Sequence, residues 1–165
     1  METLTKYVAV ALGGALGAML RYYLSGSALG RMAAPFPTAT LVINVTGSFL
    51  LGLFLTFAAE RVQIAPHVRL GLAVGFVGAY TTFSTFEWET AKLIETDDWA
   101  RALIYVGLSC VLGLVAAWAG ITAARKLGHV PASKFAHHVV ADDPVLSDVE
   151  FAERAHPIEE PPAAG

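Results

Sequence analysis

The sequence predicts an all-α membrane protein of four transmembrane helices, with the third broken near its middle. Three observations carry that prediction. Hydrophobic residues make up 55% of the 165 residues and charged ones only 15%, with a mean hydropathy of +0.56, a balance that departs from soluble domains. Runs free of Asp, Glu, Lys and Arg cover 7–20, 32–59, 70–86 and 102–124, and a membrane span takes about 20 residues. Finally, residues 75–86 read Gly-Phe-Val-Gly-Ala-Tyr-Thr-Thr-Phe-Ser-Thr-Phe, with two glycines and four Ser or Thr in an uncharged run. A helix interrupted there releases backbone carbonyls, each of which must find a partner in the bilayer or cost several kcal/mol. Broken membrane helices usually mark an ion or substrate site.

The net charge of -3 hides an uneven distribution. Residues 1–128 hold nine Lys or Arg against seven Asp or Glu, whereas residues 129–165 hold two against seven. A mildly basic membrane body therefore carries an acidic tail, and no nucleic-acid partner is expected. Cys110 is the single cysteine; it excludes an intrachain disulfide and says nothing of the redox compartment.

Helix one is expected over about 7–24. Lys6 ahead of a small-residue stretch resembles a signal peptide, but the helical pattern continues to Arg21 and more spans follow, so retention is expected. Gly13, Gly14, Gly17 and Ala18 make a face that another helix can approach closely. Arg21 in the last turn has two readings: it snorkels to the headgroups, or it serves inside as an anchor or a positive potential for an anion. Residues 26–37 form a loop with Gly26, Gly30, Pro35 and Pro37.

Helix two begins near Thr38, and Thr40, Asn44 and Ser48 share a face at i, i+4 and i+8, with Gly47 beside them. Polar glue between helices is one reading of that stripe; a site is the other, and Asn44 has two donors and two acceptors to satisfy. After a short turn at 60–67, helix three starts near Val68 with Gly71, Gly75 and Gly78 along one side and extends to about Ile94. The break is placed at residues 78–82.

Beyond the break, Phe83 and Phe86 share a face, with Ser84 and Thr85 offset; such a pair packs or functions. Glu87 and Glu89 are either solvated at the interface or line a vestibule. Trp88 and Trp99 bracket Glu95, Asp97 and Asp98 as an interfacial aromatic belt. Helix four, about 100–124, aligns Tyr105 with Ser109, as an interface anchor or as the continuation of a hydroxyl track. Arg125 and Lys126 close it.

Residues 129–165 contain five prolines and few large apolar residues, so a disordered acidic, Pro-rich tail is expected. His137 and His138 lack neighbouring metal ligands. With four spans, one membrane side carries Lys6, Arg61, Arg69, Arg125, Lys126 and Lys134 and the other Arg21, Arg31, Lys92 and Arg101. Six against four permits insertion in both orientations without requiring it.

Three motifs stand together in order: Gly13-Gly14-Ala15-Leu16-Gly17-Ala18 leading to Arg21-Tyr22, Thr40-Leu41-x-x-Asn44-x-x-Gly47-Ser48-Phe49, and the stretch 75–86. Their combination resembles the CrcB or Fluc family of small fluoride channels, over about residues 5–126. The resemblance implies an antiparallel, dual-topology homodimer, or pairing with a sister chain of opposite orientation, with two fluoride pores along the interface. It also implies a structural sodium ion, not transported, held by the backbone carbonyls of Gly78 and Thr81. By motif, Phe83 and Phe86 are the fluoride-facing rings, Asn44 the pore amide and Arg21 the arginine ending the first motif. Ser84, Thr85, Tyr105 and Ser109 are compatible with a polar track, and Tyr80 falls at a variable position. The implied function is passive fluoride export across the plasma membrane of a prokaryote.

The chemistry of these residues agrees. A pore for strongly hydrated fluoride must replace water with donors, and the Asn44 amide and the Ser, Thr and Tyr105 hydroxyls can donate. The positive ring edges of Phe83 and Phe86 can face an anion, and carbonyls freed by a helix break suit sodium. The alternative is a small dual-topology proton-coupled multidrug antiporter, which needs a carboxylate inside a helix; none occurs in 7–20 or 32–59. A membrane scaffold leaves the 81–86 run unexplained. No enzyme is expected, since the spans offer no nucleophile and base pair and no metal cluster.

Overall fold

Residues 2–27, 36–60 and 64–127 are described by a computed structural model, and within them every regular element is helical. Helix α1 (Glu2–Gly26) is longer at both ends than expected. Its first turn is extended by an i, i+4 ion pair from Lys6 Nζ to Glu2 Oε1 at 3.0 Å. Helix α2 (Thr38–Glu60) starts where the sequence placed it. Pro66 occupies the first turn of α3 (Pro66–Leu70), where its missing N–H costs nothing.

The chain then widens into a π-helix over Gly71–Val77, returns to one α-turn in α4 (Gly78–Tyr80), and stops. Thr81 and Thr82 are extended, with φ/ψ of -76/157 and -151/117. Helix α5 (Phe83–Glu95) restarts behind a Thr82 N-cap, and α6 (Trp99–Lys126) behind an Asp98 N-cap. Gly78 has helical dihedrals of -62/-37, so the interruption is narrower than the predicted 78–82.

Helices α1, α2 and α6 are each long and apolar enough to cross a membrane without interruption. Packing joins α2 to α6 and α1 to the π segment, with α5 against α6. Glycines decide the second pairing: a Cβ on Gly13 would collide with Gly71 O, and one on Gly17 with Phe76 O. The gap between α1 and the π segment is thus closed to backbone contact, as the small-residue face permits.

The fully buried core is small and includes Ile43, Ala102 and Tyr105. Much larger is the exposed apolar surface, including Leu12 and Leu16 on α1 and Leu114 and Trp118 on α6. Such a surface is anomalous in water and required in a bilayer. The expected tail at 129–165, with His137 and His138, and most of the 26–37 loop lie outside the described residues.

Candidate functional site

The interruption at Thr81 and Thr82 is built by neighbouring side chains. In an unbroken helix the Thr82 N–H would close onto Gly78 O. Here it donates to Asn44 Oδ1 at 2.9 Å, while Asn44 Nδ2 donates to Thr82 O at 3.0 Å. One amide side chain thus holds both backbone groups of a single residue. The next helical bond onto Thr81 O is lost in the same way, because the Thr85 N–H donates to Thr82 Oγ1 at 3.3 Å. Before the break, Thr81 N–H and Oγ1 both donate to Val77 O at 3.0 Å.

Arg21 Nε donates to Ala79 O at 3.0 Å. That bond ties the end of α1 to the turn before the break. The consequence is a division of the carbonyls around the break. Ala79 O is paired with α1 and Thr82 O with α2, whereas Gly78 O and Thr81 O have each lost the amide of the i+4 residue to a side chain. Two such oxygens fit a hard cation, which prefers oxygen ligands and binds at unwound backbone.

Gly78, Thr81 and Thr82 line a groove of about 260 Å³ with Asn44, Ser48 and Phe83. Phe83 is 70% exposed, and its ring centroid lies 5.7 Å from that of Phe86. Ser84 and Thr85 surround the cap: Thr82 Oγ1 donates to Thr85 Oγ1 at 2.9 Å and lies 3.5 Å from Ser84 Oγ. Asn44, Phe83, Ser84 and Thr85 are therefore gathered at the start of α5, beside Gly78 and Thr81.

Phe86, Tyr105 and Ser109 are not among the residues that line that groove. Phe86 packs on Tyr105 with centroids 5.2 Å apart, and Tyr105 meets Phe36 edge-on at 5.6 Å. Tyr105 is fully buried and its hydroxyl donates to Glu89 Oε2 at 2.7 Å, so the expected donor for a passing anion already has a partner. Ser109 Oγ, one turn along α6, is buried with no hydrogen-bond partner among the described residues.

Glu89 is the residue that sequence reasoning left undecided. Its Oε1 accepts from Thr40 Oγ1 at 2.8 Å while Oε2 takes the Tyr105 hydroxyl. The carboxylate sits among α2, α5 and α6, whereas Glu87 is exposed. A signal was present: Phe83, Phe86 and Glu89 recur at three-residue spacing and so share a face of α5. Thr40, read as part of a polar stripe, is its partner.

The family described as CrcB-like protein, Camphor Resistance (CrcB), matches residues 8–121, more than half of the chain. Three similar relatives are each named "Fluoride-specific ion channel FluC". That of Acidobacterium capsulatum is 44% identical over 122 residues, covering 74% of this chain and 98% of the relative. That of Solibacter usitatus is 45% identical over 121 residues, covering 73% and 99%. That of Geobacter sulfurreducens is 44% identical over 124 residues, covering 75% and 100%. All three are channels by name rather than enzymes, and all are prokaryotic. Apolar helices of spanning length, and a family match over residues 8–121, lead to one conclusion: this multi-pass membrane protein belongs to the CrcB family.

Proposed function

We propose that the chain is a passive, fluoride-selective channel of a prokaryotic plasma membrane, and that it works as an antiparallel dimer with itself or with a sister chain. The observation that carries this reading is the interruption at Thr81 and Thr82, with released carbonyls on one side and the Phe83 and Phe86 pair on the other. An identity of 44–45% to relatives named as fluoride-specific channels supports it. Flux runs down the electrochemical gradient, outward when the cytoplasm is negative and richer in fluoride.

The Gly78 and Thr81 carbonyls would hold the structural sodium. When bound, it supplies a fixed positive charge beside the groove, which favours anions. Arg21 serves this arrangement indirectly by taking Ala79 O out of competition. Asn44 fixes the Thr82 backbone with one Nδ2 proton and retains a second to donate to fluoride. The Ser84 and Thr85 hydroxyls stand at the start of α5 as further donors. Phe83 and Phe86 then offer positive ring edges, which replace water without binding the ion tightly. Tyr105 backs Phe86 and fixes the orientation of its ring.

One observation favours a second reading. Glu89 is a carboxylate held inside the helices, which a proton-coupled antiporter needs. The two readings separate in liposomes loaded with fluoride. The channel reading predicts efflux that needs only a potassium shunt and is unchanged by an imposed pH gradient. Efflux driven by the pH gradient, or absent without one, would move the function to Glu89 and coupled exchange.

A further inference from the structure

We infer that Tyr80 is a positioning residue for the cation site, acting through a hydrogen bond to Thr46 that holds the last helical turn before the break. The inference rests on the sodium reading above. Tyr80 is 4% exposed, and its hydroxyl lies 2.9 Å from Thr46 Oγ1 on α2. The direction of that bond follows from proton counting. Thr46 Oγ1 also lies 2.7 Å from Val42 O and 3.1 Å from Ile43 O, which can only accept. Its single proton goes back to its own helix, so Tyr80 donates.

The neighbouring contacts make this bond more than packing. The Tyr80 ring stacks on Phe76, with centroids 6.2 Å apart and planes 6° apart. Gly47, next to Thr46, lies so close that a Cβ there would collide with Thr81 Cγ2 and stand 3.3 Å from Tyr80 Cδ1. Ala79 is tied to α1 by Arg21, Tyr80 to α2 by Thr46, and Thr82 to α2 by Asn44. A single turn between a π-helix and a break has few helical bonds of its own. The direction of the Gly78 and Thr81 carbonyls is therefore set by these three tethers, of which the Tyr80 hydroxyl is the one supplied by a side chain of the turn itself.

The test uses the full chain purified in detergent, with sodium chloride replacing N-methylglucamine chloride at constant ionic strength. The melting temperature is followed against sodium concentration for the unsubstituted protein, Tyr80→Phe, Thr46→Val, Thr46→Ser and the Tyr80→Phe/Thr46→Val pair. Losing one net hydrogen bond raises the half-saturating sodium concentration about five-fold. That rise is expected for Tyr80→Phe and for Thr46→Val, no further rise for the pair, and none for Thr46→Ser, which keeps the acceptor. Unchanged sodium midpoints in both single variants, even with lower melting temperatures, would reduce Tyr80 to packing and overturn the inference alone. An unsubstituted protein whose melting ignores sodium would overturn the sodium reading and the inference with it. Should Tyr80→Phe fail to fold, Thr46→Val, altered at an exposed position, decides the question by the same midpoint.

Discussion

The two sides of the Thr81–Thr82 interruption make their polar groups in different ways. Before it, Gly71–Val77 and Gly78–Tyr80 present backbone, and what matters is where neighbouring helices hold that backbone. After it, Phe83–Glu95 presents side chains, and what matters is their identity. The lesson concerns tolerance. On the first side a substitution acts at a distance, by releasing a tether or forcing two backbones apart; on the second it acts at the substituted residue.

The largest effect is expected where one side chain serves the break itself. Asn44→Ala orphans the N–H and C=O of Thr82, at about 1–3 kcal/mol for each group left unpaired. Thermal unfolding in detergent should fall accordingly and fluoride flux should be lost; flux and melting both like those of the unsubstituted chain would remove Asn44 from the break. Next comes Gly17→Leu, which drives a side chain into Phe76 O. Overpacking of this kind costs about 1–3 kcal/mol, seen as a lower melting temperature and a smaller assembled fraction on gel filtration.

Substitutions beyond the break should separate activity from assembly. Phe83→Ile or Phe86→Ile should slow flux at least about ten-fold, equivalent to about 1.4 kcal/mol of barrier, while the protein elutes unchanged. Loss of assembly in step with flux would mean that the rings act only by packing. The smallest effect, none on flux, is expected from deleting residues 130–165; a well-folded truncation without activity would assign the tail a part in transport.

Much of this contrast could be read from residue order alone. Charge-free runs located α1, α2 and α6, and the run of hydroxyls and rings located the interruption, because both depend on local composition. The π segment was not legible: nothing within 71–77 demands wider turns, and they accompany close packing on the glycine face of α1. Gly78 was assigned to the break, yet it stays helical because the diverting amide belongs to Asn44, far away in the chain. Glu89 stayed undecided between its two readings for the same reason. Its neighbours in the chain suggest an aqueous helix end, and only Thr40 and Tyr105, from two other helices, bring it inside. The partner of Arg21, Ala79 O, lies far along the chain and was equally out of reach of the sequence.

The central claim is that one interruption sets a cation-binding backbone beside an anion path. Its most direct test is efflux from liposomes holding the purified chain, loaded in parallel with fluoride or chloride and supplied with a potassium shunt. The account predicts rapid fluoride release, little chloride release, and collapse of the fluoride signal in Phe86→Ile. Equal release of the two anions, or fluoride release indifferent to Phe86→Ile, would contradict it.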